Sequence, residues 1–179
     1  MGQFNGVTRA VYESGEIVSL RPSSNERLRI FVTGVTGPYG AHFAKHCLEK
    51  GHEVFSLEHQ RKPAESNPAA LLGIQDKITW AHGDIRDSRL LAAMLCDWDV
   101  QSIAHFAALP LVRPSNVIPE AIFSVNAMGT VALLEAAKQV VSGGKRLHFL
   151  QCSTDKVYGN AGDVPYTEDM PLNGTSAYE

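Results

Sequence analysis

The stretch Arg29-Ile30-Phe31-Val32-Thr33-Gly34-Val35-Thr36-Gly37-Pro38-Tyr39-Gly40 decides the fold. Its first five residues form an apolar, β-prone run, three glycines follow at a spacing of three, and a helical pattern then continues to Lys50. Strand, glycine turn and helix in that order form the dinucleotide-binding fingerprint, in which each glycine has its own duty. Gly34 permits the tight turn, Gly37 lets the backbone approach a pyrophosphate, and Gly40 lets the helix lie close on the strand. The first N–H groups of the helix and their partial positive charge then face the phosphates. Pro38 has no N–H, so Tyr39 and its neighbours must donate.

Outward from this unit, short apolar runs alternate with longer helical ones, which implies βαβ units and a parallel sheet. Strands are predicted over Arg29–Thr33, Glu53–Leu57, Ile78–His82, Ser102–Phe106 and Arg146–Cys152. Several are apolar at successive positions, as strands covered on both faces must be. One helix is predicted from Tyr39 to Lys50, stopped by Gly51. A second begins after Asp87, a good N-cap, and turns Leu90, Leu91, Met94 and Leu95 inward. The third and longest runs from Pro119 to Val141, with Ile122, Val125, Met128, Ala132, Leu133, Ala136 and Val140 on one side. A short helix over Ala69–Leu72 interrupts the loop after the second strand. The fold class is therefore α/β, a doubly wound, Rossmann-like parallel sheet over residues 28–179, preceded by a leader or small hairpin over residues 1–27.

An acidic residue is expected about 20 residues beyond the glycines, where it binds the adenosine ribose. Glu58 follows Gly40 by 18 residues. A carboxylate there accepts both ribose hydroxyls and repels a 2′-phosphate, so NAD is favoured over NADP. Arg61 and Lys62 pull the other way, since they can neutralise that phosphate.

Composition removes several other function classes. Lys plus Arg number 16 against Asp plus Glu 19, a net charge of -3, with no basic stripe to displace counterions from a nucleic acid. No run reaches the ~20 apolar residues of a membrane span, and no apolar signal region opens the chain, so the cytoplasm is the expected location. The three cysteines, Cys47, Cys96 and Cys152, are far apart and form no C-x-x-C pair. Reduced thiols are expected rather than a disulfide framework or a zinc site. His42 and His46 stand one helical turn apart without the Glu of a helical zinc motif, so no metal site is expected. His105 reads as hydrogen-bonded core, Cys152 as inward packing on the fifth strand, and Asn126 as a helix residue bonded across to a neighbouring loop.

The spacing Gly34-x-x-Gly37-x-x-Gly40 resembles that of the extended short-chain dehydrogenase/reductase family of nucleotide-sugar epimerases and dehydratases. Further segments follow in the family's order: His82-Gly83-Asp84-Ile85-Arg86-Asp87, His105-Phe106-Ala107-Ala108, Val125-Asn126-Ala127-Met128-Gly129-Thr130, and Ser153 to Gly159 followed by Tyr178. The resemblance implies that the Asp84 side chain and the Ile85 amide recognise adenine, and that Ala107 and Ala108 lie under the cofactor. It also implies a homo-oligomer. Within the family, His105 to Ser115 and Thr154 to Asn160 are most similar to the CDP-glucose 4,6-dehydratase group, so CDP-glucose or a similar nucleotide sugar is the implied substrate.

A 4,6-dehydratase oxidises C4 of a hexose, removes water across C5 and C6, and reduces C6. The resemblance gives Tyr178 the proton of the C4 hydroxyl and Thr154 a hydrogen bond to the same oxygen. Dehydration needs an acid for the C6 hydroxyl and a base for the C5 proton. Asp155 is the candidate acid, with a raised pKa, and Lys156 the candidate base, with a lowered one. An epimerase needs neither, so their presence favours dehydration over NAD-dependent epimerisation. The family's tyrosine is followed by a lysine in Tyr-x-x-x-Lys, whereas Tyr178 is followed by Glu179 alone. A free phenol with pKa about 10 is only ~0.1% ionised at pH 7, so the 179 residues are expected to bind the dinucleotide with little turnover, as a fragment cut inside the motif and without the C-terminal substrate domain.

Overall fold

The computed structural model describes residues 26–110, 112–160 and 162–179. The expected leader or hairpin at the N-terminus lies outside them, apart from its last two residues. Five parallel strands form one sheet: β1 (Arg29–Thr33), β2 (Glu53–Glu58), β3 (Thr79–His82), β4 (Ser102–His105) and β5 (His148–Gln151), in the order β3-β2-β1-β4-β5. Register runs Phe31 beside Phe55 on one flank and beside Ile103 on the other. The order reverses between β1 and β4, which opens a crevice beyond their C-terminal ends. Gly34 and Phe106 stand there.

Each connecting helix begins for a local reason. Helix α1 (Pro38–Glu49) has Gly37 as N-cap and Pro38 at its first position, where a missing N–H costs nothing. The Asp87 carboxylate caps α3 (Ser88–Asp97) by accepting from the N–H groups of Arg89 and Leu90 at 3.1 and 3.0 Å. Such a cap is worth about 1 kcal/mol. Asn67 does the same for the short α2 (Pro68–Leu71), accepting from Ala69.

The sheet is covered on both faces. Ile30, Val32 and Val54 pack under α1 and α2 with Ala44, Cys47 and Ile74. Phe31, Phe55 and Ile103 face the opposite way, against Leu91 and Leu95 of α3 and Leu133, Ala136 and Val140 of the last helix. Phe31 is fully buried, and truncating such a side chain to Ala costs about 3–5 kcal/mol.

Three expectations are corrected here. The helix predicted over Pro119–Val141 is not uniform: α4 (Pro119–Ile122) passes into a π turn, Phe123–Ala127, and then into α5 (Met128–Ser142). The extra residue in a π turn advances everything after it by about 100°. Met128 is therefore exposed, and Gly129 takes the inward place, where a Cβ would stand 2.9 Å from the Ile85 side chain. This helical run is also long and apolar enough by length and composition to cross a membrane, contrary to the sequence reading. Its Leu133, Ala136 and Val140 lie in the core against α3. The third correction is Cys152, which is exposed rather than packed. It follows β5, an edge strand on which Leu150 is half exposed.

Candidate active site

Two cavities open at the C-terminal ends of the strands. The larger, about 720 Å³, is walled by the glycine loop, by Asp84 and Ile85 after β3, and by Ala107 and Ala108 after β4. Gly34, Gly37, Tyr39 and Gly40 all line it, so the structure gathers eight of the nine predicted cofactor-binding residues around one space. Gly34 has φ +74, and a Cβ there would come within 2.7 Å of the Phe106 carbonyl carbon. At Gly40 the Cβ would stand 2.4 Å from the Gly34 oxygen. Both positions are closed to any side chain, and the N–H of Gly37 donates to the Gly34 oxygen at 2.9 Å to close the turn. This cradle, at the start of α1, fits a dinucleotide pyrophosphate.

Glu58 is the exception. It ends β2, half-buried, and is absent from the cavity wall, which Leu57, His59, Gln60 and Lys62 form instead. Side chains alternate along a strand, so the terminal residue of β2 and its neighbours cannot all face one space. Asp84 is in place, but Arg86 holds both of its oxygens: the Arg86 backbone N–H and Nε each donate to Oδ1 at 2.9 Å, and Nη2 donates to Oδ2. This guanidinium holds the Asp84 carboxyl down at about 2. Arg86 Nη1 reaches on to Ser124 Oγ in the π turn, 2.9 Å away.

Beneath Ala107 lies a polar chain that sequence reasoning found only in part. His105 is buried and bonded, as expected, with Nδ1 2.6 Å from Thr33 Oγ1 and Nε2 3.1 Å from Thr130 Oγ1. Burial pushes its pKa down to about 4. Asn126 bonds across to the neighbouring loop, also as expected: its Oδ1 accepts from the Leu109 N–H at 2.7 Å and its Nδ2 donates to the Leu109 oxygen at 3.2 Å. Thr33 and Thr130 were missed, since a threonine in an apolar run carries no signal of its partner.

The smaller cavity, about 390 Å³, adjoins the first, with Tyr39, Ala107 and Ala108 in both walls. Thr154 and Tyr178 line it with Cys152, Ser153 and Asn126. Asp155 and Lys156 do not; they occupy the turn between Thr154 and Val157, with Lys156 Nζ 3.2 Å from Asp155 Oδ2. That hydrogen bond and the carboxylate charge raise the Lys156 pKa, the opposite of the lowering expected from the sequence. The Glu179 carboxylate accepts from the Ser176 N–H at 2.7 Å and from the Thr175 N–H. A carboxylate returning to the N–H of the residue three before it is half of a helix capping box, and Tyr178 lies inside it. His42 Nδ1 lies 2.8 Å from the Pro38 oxygen, and no group of three His, Cys, Asp or Glu that could hold a metal occurs among the described residues.

A profile of the family described as GDP-mannose 4,6 dehydratase matches residues 31–179. The chain belongs to that family. A GDP-mannose 4,6-dehydratase of Sordaria araneosa is 33% identical over 163 residues, covering 89% of this chain and 28% of the relative. A UDP-glucose 4-epimerase of Neisseria meningitidis is 34% identical over 149 residues, covering 83% of this chain and 43% of its own length. The chain thus spans less than half of these relatives. Among solved structures, the dTDP-glucose 4,6-dehydratase DesIV of Streptomyces venezuelae, with NAD and TYD bound, is 33% identical with a TM-score of 0.70 over 84% of this chain and 47% of DesIV. A UDP-glucose-4-epimerase of Stenotrophomonas maltophila, with NAD and formylated UDP-arabinopyranose, is 29% identical with a TM-score of 0.72 over 85% of this chain and 44% of that one. The family of GDP-mannose 4,6 dehydratases and its epimerase relatives therefore share this Rossmann-like sheet.

Proposed function

We propose that the chain is the NAD-binding portion of a nucleotide-sugar 4,6-dehydratase of the CDP-glucose type. The observation that carries this reading is the Asp155–Lys156 pair beside the smaller cavity, flanked by Thr154 and Val157 in its wall. Bound NAD would supply the oxidising equivalent at C4 of the sugar and give it back at C6. The glycine loop and the α1 N-terminus hold its pyrophosphate, Ala107 and Ala108 form the floor between the two cavities, and Thr154 and Tyr178 meet the C4 hydroxyl.

The dehydration step needs one acid and one base, and the pair holds both in latent form. Exposed to water it is an ion pair, with the proton on lysine. Transfer of that proton across 3.2 Å from Lys156 Nζ to Asp155 Oδ2 leaves a carboxylic acid and an amine. A sugar that covers the pair removes water and favours the neutral form. Asp155 then protonates the departing C6 hydroxyl and Lys156 takes the C5 proton, so the expected roles are reached by way of the bound state.

The chain expressed within its complete reading frame, supplied with NAD and CDP-glucose, GDP-mannose, dTDP-glucose or UDP-glucose in turn, tests this by mass spectrometry. Loss of one water from CDP-glucose is the expected result. A C4 epimer of the same mass would establish the epimerase reading instead, and NAD binding by the full frame without conversion of any sugar would leave a non-catalytic dinucleotide binder. We infer a cytoplasmic location from the three unpaired thiols. Exposed Phe123, Met128, Val131 and Leu134 support a homo-oligomer, read by sedimentation of the complete protein.

A further inference from the structure

Five of the described residues belong to both cavity walls: Tyr39, Phe106, Ala107, Ala108 and Pro110. The other four carry hydrocarbon side chains, so the Tyr39 hydroxyl is the one side-chain hydrogen-bonding group on this shared boundary. Tyr39 is the second residue of α1, and Phe43, one turn further on, fills the core place beside it, with its ring centroid 5.2 Å from that of Phe106. The Tyr39 side chain is left outside, 78% exposed, and contributes little to the core. It meets the smaller cavity from the β1 side, whereas Thr154 and Tyr178 meet it from beyond β5, with β4 between the two strands.

Backbone and side chain of Tyr39 answer to different ligands. Its N–H lies in the first turn of α1, where a phosphate is the expected partner. The side chain is free to serve the smaller cavity. A hexose presents C–H faces and a rim of hydroxyls, and a tyrosine offers the matching pair, an apolar ring and one polar tip. Thr154 and Tyr178 both meet the C4 oxygen in the proposed reaction, so a hydroxyl on the other side of the cavity supplies a second point that orients the sugar. We propose that Tyr39 is a substrate-contacting residue, its ring packed on the hexose and its hydroxyl donating to a sugar oxygen other than that on C4. One residue then holds the dinucleotide by its backbone and the sugar by its side chain. The proposal rests on the smaller cavity being the sugar site of the reading above.

The test uses protein expressed within its complete reading frame and saturated with NADH, which cannot oxidise the sugar. It is titrated calorimetrically with CDP-glucose, GDP-mannose, dTDP-glucose and UDP-glucose, and the tightest of these carries the comparison. Tyr39→Phe should weaken that nucleotide sugar roughly fivefold, the loss of one neutral hydrogen bond, and Tyr39→Ala, which also loses the ring, about fiftyfold. The matching nucleoside diphosphate, which lacks the hexose, should bind all three proteins alike. An unchanged affinity in Tyr39→Phe would overturn the hydroxyl contact, and an unchanged one in Tyr39→Ala the whole role. Equal weakening of the nucleoside diphosphate would also overturn it, by assigning Tyr39 to the base or the phosphates. Wild-type protein that binds NADH but none of the four sugars would instead overturn the smaller cavity as the sugar site, and matching melting curves without ligand show that the variants are folded.

Discussion

The Thr33 hydroxyl and the His105 imidazole meet at 2.6 Å, and the proton between them belongs to the threonine. Thr33 Oγ1 already accepts from the N–H groups of Phe106 and Ala107, at 3.1 and 3.0 Å, so its own hydrogen is directed to Nδ1. The ring then carries its hydrogen on Nε2 and donates to Thr130 Oγ1, which donates in turn to the Asn126 backbone oxygen at 2.8 Å. A neutral imidazole thus ties the ends of β1 and β4 to the π turn, and the backbone it supports is the floor shared by both cavities.

Protonation of His105 breaks that chain. Its folded pKa of about 4 lies below the ordinary imidazole value of 6.5, so the unfolded state takes up the proton first as pH falls. The stabilisation is complete above pH 6.5 and is lost as pH drops towards about 4, a loss on the order of 3 kcal/mol. Urea midpoints measured across this range should fall in wild type and change much less in His105→Gln, which starts from a lower plateau. Parallel pH profiles for the two proteins would refute the assignment.

Asp84 titrates in a separate window. Its depressed carboxyl contributes stability above 3.8 that disappears as pH falls through about 2. In Arg86→Ala the carboxyl should return towards 3.8, followed by NMR on the Asp84 side-chain carbon. An unchanged titration would mean that Arg86 does not set its charge.

The glycines should separate by position. Gly34→Ala combines a left-handed φ of +74 with a 2.7 Å clash, and Gly40→Ala meets the Gly34 carbonyl at 2.4 Å. Each should lower stability by about 2–4 kcal/mol. A Cβ at Gly37 would meet the Gly34 oxygen at 3.2 Å, so Gly37→Ala should stay within about 1 kcal/mol while weakening NAD binding. Thermal melts of the three variants with and without NAD provide the comparison, and equal losses in all three would contradict it.

The thiols offer a test of burial. Cys47 is buried, and desolvation pushes its pKa up to about 11, while Cys96 and Cys152 are exposed. Ellman's reagent should modify two thiols rapidly and the third only on unfolding. Because Cys152 lines the smaller cavity, a bound sugar nucleotide should slow its reaction and leave Cys96 unaffected.

Much of this architecture was legible in local patterns. Gly34, Gly37 and Gly40 announced the turn by their spacing, Gly34 and Gly40 because no other residue tolerates those two positions, and Asp87 announced α3 because its cap is a contact within three residues. What depended on contacts distant in sequence was less visible. The inserted residue of the π turn left no trace in the apolar spacing of Ile122 to Val140, so Met128 was misplaced. Cys152 looked inward because a fifth strand is usually covered, and coverage is a property of neighbours. Glu58 matched the expected interval but not the side of the strand, and Lys156 met a carboxylate whose effect on its proton only the distance reveals.

The π turn also divides the labour of one helical run. Within it, Ser124 and Asn126 are phased towards Arg86 and Leu109 at the cavities; after it, Leu133, Ala136 and Val140 are phased towards α3. A single inserted residue acts as a clutch between these two rotational settings. Substitutions that retune the cavity end leave the core end in step, whereas deletion of any one residue between Phe123 and Ala127 would put the two out of phase, whatever its side chain.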